Sequence, residues 1–163
     1  MKKVVLIMLV FSMFMACSSE EEAIKKISEE ESMEIVDSEV NVKFNKVYCW
    51  INLMPGPDAK PKFNVGGELQ LYKSDEYDFN KMNLSGVEIY QSEEKIYSLK
   101  LSVREDENLS TEDMRFKIFS NLKEVNPVET LDSESPVDAK FIFEYDSKQY
   151  LYYVNDIKID KAY

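Results

Sequence analysis

Residues 140–154 read KFIFEYDSKQYLYYV. Phe141, Phe143 and Tyr145 alternate with Lys140, Ile142 and Glu144, the two-residue period of a strand with one buried face. Asp146-Ser147-Lys148 breaks the pattern with turn residues, and Gln149 to Ile159 resumes it. Two alternating runs joined by so short a polar break predict a β-hairpin. On the returning strand Tyr150 and Tyr152 share one face, and Leu151 and Tyr153 share the other. Large rings on both sides mean that one face is either covered by another element or left open as a binding surface.

Upstream, the same period recurs. Phe63, Val65, Gly67, Leu69 and Leu71 oppose Asn64, Gly66, Glu68 and Gln70, the cleanest alternation in the chain. Gly66-Gly67 inside it predicts a bulge or a close backbone approach. Before it, Val42 and Phe44 alternate on one parity, and Val47, Cys49, Ile51 and Leu53 on the other. The slip at Asn45-Lys46 predicts a β-bulge or a bend, with Tyr48 and Trp50 facing away from Cys49. Tyr72 to Asn83 is polar and irregular. Val87 and Ile89 lie on a short strand ending at a turn near Ser92-Glu93-Glu94. Tyr97, Leu99, Leu101 and Val103 form the next strand, and Arg104 to Asp113 is an acidic loop. Met114, Phe116 and Ile118 form another strand, with Arg115 and Lys117 read as outward. Ser120 to Val137, which holds Pro127 and Pro136, is loop-like.

Seven or eight strands with no convincing long helix predict an all-β domain over residues 36–163, an antiparallel immunoglobulin-like β-sandwich. Adjacent Cys49 and Trp50 are similar to the Cys and Trp of antibody domains in architecture only. Those sit on different strands and need a second Cys. A small up-and-down barrel is the alternative. Tyr (10) and Phe (9) are plentiful and Gly (4) is scarce, which agrees with pleated sheet.

The amino-terminal stretch has a different character. Met1-Lys2-Lys3 is positive, Val4 to Met15 is almost wholly apolar, and Ser18-Ser19-Glu20-Glu21-Glu22 turns polar and acidic. An apolar run of about 12 residues fits a signal peptide and is too short to span a bilayer, which takes roughly 20. Phe14-Met15-Ala16-Cys17 resembles the lipobox of bacterial lipoproteins. The resemblance covers about the first 20 residues. It implies removal of residues 1–16 and lipid attachment at Cys17, a palmitate-type acyl anchor in the cell envelope. It also implies an extracytoplasmic location, with Ser18 favouring the outer membrane in a diderm. Residues 17–35 would then be an acidic tether, unstructured or forming a short helix. Cleavage would leave 147 residues (163 less 16) and, without Lys2 and Lys3, a formal charge of −13 in place of −11.

Such an acidic chain is a poor partner for nucleic acid, and as a whole for an anionic lipid surface. There is no histidine, which removes the commonest general base and metal ligand. If Cys17 carries lipid, Cys49 has no intramolecular disulfide partner, and its β pattern makes it a core thiol. Asp75, Glu76 and Asp78 fall in one loop. Glu105, Asp106, Glu107, Glu112 and Asp113 fall in another. Neither has the spacing of a calcium loop, and solvated acid is the expectation. Met33, Met54, Met82 and Met114 lack the clustering of a soft-metal site. No metal or other cofactor is expected. No carboxylate pair or Ser/base pair in linear order points to a catalytic residue.

Two surfaces suggest binding. Met54-Pro55-Gly56-Pro57-Asp58-Ala59-Lys60-Pro61 is a stiff loop beside Trp50, already low in ordering entropy. The tyrosines of the last hairpin make the other. Trp50, Met54, Pro55, Tyr150 and Tyr152 are therefore the expected partner-binding residues. The expected function is that of a membrane-anchored, non-catalytic binding or assembly module for a protein or envelope component. The alternative is an envelope carrier of a small ligand or divalent ion, held in a barrel interior or an acidic loop.

Overall fold

The computed structural model describes residues 41–54, 60–75 and 77–163. Cys17, the signal-like stretch, the tether, residues 36–40, Pro55 and Glu76 lie outside the described residues.

The fold is all-β. Eight strands follow in order: β1 (Val42–Asn52), β2 (Lys62–Tyr72), β3 (Asn83–Gln91), β4 (Glu94–Glu105), β5 (Met114–Asn121), β6 (Val137–Tyr145), β7 (Lys148–Ile157) and β8 (Ile159–Ala162). The 140–154 hairpin forms as its sequence predicts, with Phe141 opposite Tyr152 and Tyr145 opposite Lys148. Its turn, Asp146-Ser147, has φ of 47° and 64°. The β3–β4 turn, Ser92-Glu93, has φ of 52° and 66°. Both are two-residue turns with two left-handed residues, the form whose twist matches the flanking strands.

The strands make one ladder in the order β7-β6-β3-β4-β5-β2-β1-β8, curled into a half-barrel. Two strands produce the curl by changing partners along their length. Glu94–Lys100 of β4 pairs with β3, and Leu101–Glu105 pairs with β5. Lys148–Ile157 pairs with β6, and after Lys158 the chain continues as β8 alongside β1. A bulge re-aims that last segment. Asp156 has φ 58°, and its N–H donates to Asp138 Oδ1 at 2.9 Å. The β1–β8 pairing is parallel, with Cys49 opposite Ile159, a departure from the antiparallel expectation. It arises because β7 and β8 are one chain segment that leaves β6 and reaches β1 without reversing.

The inward side chains of both halves fill one core. Phe44 packs its ring against Phe141 (centroids 4.5 Å apart), Tyr152 (4.8 Å), Phe119 (5.7 Å) and Phe143 (5.9 Å). The bulge predicted at Asn45-Lys46 is present as a register shift between Phe44 and Lys46. It lets Val42 and Phe44 point inward on one side of the slip and Cys49 and Ile51 on the other. The close approach predicted at Gly66-Gly67 is also present. A β-carbon on Gly67 would lie 2.2 Å from the Lys46 carbonyl oxygen and 2.6 Å from the Phe119 ring.

Two parts differ from the sequence reading. Residues 73–82 are polar on average, yet Tyr77, Phe79 and Met82 are buried and close one end of the core. The Tyr77 hydroxyl donates to the Tyr72 carbonyl at 2.5 Å, and the Tyr145 hydroxyl accepts the Asp78 N–H at 3.0 Å. The second difference is β5, whose parity is reversed. Phe119 lies opposite Gly67, Lys117 opposite Leu69 and Arg115 opposite Leu71, so these three share the inward side. Met114, Phe116 and Ile118 take the outer side. Arg115 and Lys117 fit inward because they lie towards the end of the core plugged by residues 73–82. The Arg115 guanidinium sits over the Phe79 ring, 4.7 Å from its centroid, and ion-pairs with Glu105 at 3.4 Å. Burial pulls the Lys117 ammonium below the ordinary lysine range, against the opposing pull of Glu105.

The opposite end is closed by the β5–β6 connection. The Gln91 side chain holds it, donating to the carbonyls of Asp132 (2.8 Å), Ser135 (3.1 Å) and Pro136 (3.3 Å) and accepting the Asp132 N–H at 2.9 Å. The Phe63 and Tyr97 rings stack beneath it, 4.6 Å apart.

Candidate functional site

The reversed parity of β5 gives the half-barrel two unlike outer faces. On β1, β2 and β5, register sets the outward residues in rows. Trp50 lies beside Asn64, Tyr48 beside Gly66 and Ser120, and Lys46 beside Glu68 and Ile118. Lys43 lies beside Gln70 and Phe116, and Tyr72 beside Met114. Six large apolar or aromatic side chains thus share one outer surface. Tyr48 and Tyr72 are 41% and 38% exposed, Trp50, Met114 and Ile118 are half-buried, and Phe116 is buried.

Trp50 is held in place from below. Gly66 has no side chain, and a β-carbon there would lie 3.4 Å from Trp50 Cζ3 and 3.5 Å from Cη2. The indole therefore rests over the glycine backbone. Beside it, buried Asn64 accepts from Asn121 Nδ2 at 3.3 Å, and Asn121 Oδ1 accepts the Val65 N–H at 2.9 Å. At the other end the Tyr72 hydroxyl donates to Gln70 Oε1 at 2.5 Å. Ordered rings of this kind present area at small entropic cost, and Trp, Tyr, Phe, Met and Arg are the residues enriched in protein interfaces.

The charge on this face opposes that of the chain. Lys43, Lys46 and Lys62, with Arg104 from the adjoining part of β4, surround the rings. Glu68 and Asp160 are the acidic residues among them. Lys46 and Arg104 are exposed.

The outer face of β3, β6 and β7 differs. Glu88 there accepts from Lys95 at 2.9 Å and from the Tyr90 hydroxyl at 2.7 Å, with Lys140 at 3.6 Å. The Lys140 ammonium also sits 5.9 Å from the Tyr153 ring centroid. The hydrogen bond from Lys95, then that from Tyr90, holds the Glu88 carboxyl below the usual glutamate range. Tyr90 is pushed up to about 12, by burial first and by Glu88 second. Glu88, Tyr90, Lys95, Lys140 and Tyr153 thus contact one another on this face.

The residues expected to bind a partner separate in the structure. Trp50 lies on the aromatic outer face. Met54 is 58% exposed at the edge of the loop that follows β1, and Pro55 lies outside the described residues. Tyr150 and Tyr152 are a correction. They are 7% and 4% exposed, inside the core, and cannot meet a partner. Phe44 of β1 crosses the core and covers that side of β7, which leaves Leu151 and Tyr153 as its outward residues. Tyr48, Tyr72, Met114, Phe116 and Ile118 are members of the surface that sequence reasoning did not assemble. What sets them together is the pairing register, invisible in linear order. For Met114, Phe116 and Ile118 the apolar-side-in expectation for β5 also hides it.

Burial pushes the Cys49 thiol up to about 12, with the Asp160 carboxylate adding to the shift, so the sulfur stays protonated and inert at neutral pH. Among the described residues no group of three or more His, Cys, Asp or Glu could hold a metal ion. Open grooves are lined by described residues at two places on the domain. One, of about 450 Å³, is lined by Lys81, Asn83 and the β6–β7 hairpin from Glu144 to Gln149. The other, of about 370 Å³, is lined by Asn41, Val42, Lys43 and Tyr72 at the end of the aromatic face.

No family model matches the chain, and no curated protein or solved structure matches it.

Proposed function

We propose that this chain is a lipid-anchored lipoprotein of the cell envelope, attached through Cys17, whose β domain is a non-catalytic binding or assembly module. On this reading the two halves of the curled sheet serve as the layers of an immunoglobulin-like sandwich, and the outer face of β1, β2 and β5 takes a protein partner. One observation carries the reading. Trp50, Tyr48, Tyr72, Met114, Phe116 and Ile118 share that face, while on the opposite face Glu88 is paired with Lys95 and Lys140. Tryptophan, tyrosine and arginine are the residues that most often dominate binding energy at interfaces.

Partner capture from an envelope extract, comparing wild type with Trp50→Ala and Tyr48→Ala, tests the surface. Loss of a central aromatic anchor costs about 2 kcal/mol, so affinity should fall more than tenfold. Undiminished capture by folded Trp50→Ala would remove this face from the proposal. The anchor has its own test. Mass spectrometry should find an acylated amino-terminal Cys17, and an unmodified Cys17 still preceded by residues 1–16 would overturn it.

A further inference from the structure

The aromatic face presents an excess of positive charge on a chain whose formal charge is −11. Lys43, Lys46, Lys62 and Arg104 outnumber Glu68 and Asp160 around it. A surface of this composition fits an occupant that is acidic and carries a few aliphatic side chains. The chain itself contains one. Residues 18–40 hold nine carboxylates (Glu20, Glu21, Glu22, Glu29, Glu30, Glu31, Glu34, Asp37 and Glu39) against Lys25 and Lys26. Ile24, Ile27, Met33, Ile35 and Val36 are interspersed.

The point where that segment joins the domain is suitable. Asn41 is fixed at the Tyr72 end of the face. Its carbonyl accepts the Tyr72 N–H at 3.1 Å, and its N–H donates to the Tyr77 hydroxyl at 3.2 Å. The groove lined by Asn41, Val42, Lys43 and Tyr72 lies at this junction. The length also suffices. The face follows β2, an 11-residue strand, or about 36 Å at ~3.3 Å per residue. A 23-residue segment can reach about 75 Å when extended.

We infer that the acidic segment 20–39 is a strap that lies along the cationic aromatic face of β1, β2 and β5, its carboxylates beside Lys43, Lys46 and Arg104. Individual exposed ion pairs are weak. Covalent attachment compensates, because it supplies the strap at millimolar effective concentration. A partner for this face must then displace the strap, and rising ionic strength releases it.

Trp50 is the one tryptophan of the chain and lies in the covered surface, so its fluorescence reports the contact. The experiment uses the chain as isolated, in detergent micelles, with acrylamide as a neutral quencher. Wild type is compared with a variant carrying Glu→Gln at 20, 21, 22, 29, 30 and 31, and with a Lys43→Gln, Lys46→Gln, Arg104→Gln triple variant. At low salt the wild-type quenching constant should be lower than both by roughly twofold, the change for a strap bound at least half the time. At 1 M salt, where screening acts within ~3 Å, wild type should rise to the level of the variants. Equal quenching of wild type and the Glu→Gln variant at low salt overturns the strap. Protection that grows with protein concentration overturns it as well, by assigning the face to a second copy. The inference concerns the same face as the proposed partner site. The measurement contains no partner, so its failure would leave the partner reading standing.

Discussion

Gly67 shows how closely β1 and β5 meet above β2. A methyl group there would strike the Lys46 carbonyl at the bulge, which is backbone and cannot swing aside, and also the Phe119 ring. Gly67→Ala should cost about 2–4 kcal/mol in urea denaturation, the upper range for overpacking. Gly66→Ala has more room, with its nearest atom, the Phe119 carbonyl oxygen, at 3.0 Å. It should cost less and shift Trp50 emission, since the indole rests on that glycine. Glu88 gives a pH signature. Its folded pKa is lowered, chiefly by Lys95 and then by Tyr90. The stabilisation is therefore present above the ordinary value of 4.5 and lost as pH falls through the lowered folded value. Glu88→Gln should lower the melting temperature at pH 7 and by progressively less as the pH falls below 4.5. A loss that does not shrink at any acidic pH would remove the ionic account. The paired glycines announced their close approach because only a missing side chain explains two of them within a strand. Arg115 and Lys117 gave the opposite message. A cation reads as outward in any alternating pattern, and what draws these inward, the Phe79 ring and Glu105, lies on other elements.

At the scale of elements, both tight hairpins place non-glycine residues in left-handed backbone, at Ser92-Glu93 and Asp146-Ser147. Such a conformation costs an L-residue roughly 1–2 kcal/mol, part of which glycine recovers after its greater unfolded-state entropy is counted. Glu93→Gly and Ser147→Gly should each raise stability by about 0.5–1 kcal/mol. A thermal melt checks this, and destabilisation by both would show that their side chains hold the turns. Strands were legible in the sequence because each buries one face, so apolar residues recur with period two. The buried plug made by Tyr77, Phe79 and Met82 was not. Tyr77, Phe79 and Met82 follow neither a two-residue nor a helical period, and their burial depends on Tyr145 and Arg115, far off in sequence. The aromatic surface was half legible. Trp50 and Tyr48 were read as facing away from Cys49, but only the register of β1, β2 and β5 sets them in one field with Tyr72 and Ile118.

Across the whole molecule, periodicity predicted the all-β class, whereas the curl depends on where β4 and β7–β8 change partners. Nothing in an alternating pattern marks the residue at which a strand leaves one neighbour for another. The seam between β1 and β8 is where this matters most for stability. Ile159 packs against the core, and the Leu53 N–H donates to the Ala162 carbonyl at 2.7 Å. Deleting residues 159–163 should lower the melting temperature and expose the β1 edge, which then pairs between molecules. Size-exclusion chromatography should show a larger species, and a monomer of unchanged stability would mean that β8 is dispensable. The same seam has a kinetic consequence. β8 is the last element, and it pairs with the first, so almost the entire described chain must be available before the ladder can close. Folding of this kind, dominated by contacts remote in sequence, belongs to the slow regime of milliseconds to seconds. The β1 edge therefore stays open during synthesis until residues 159–162 are available to pair with it.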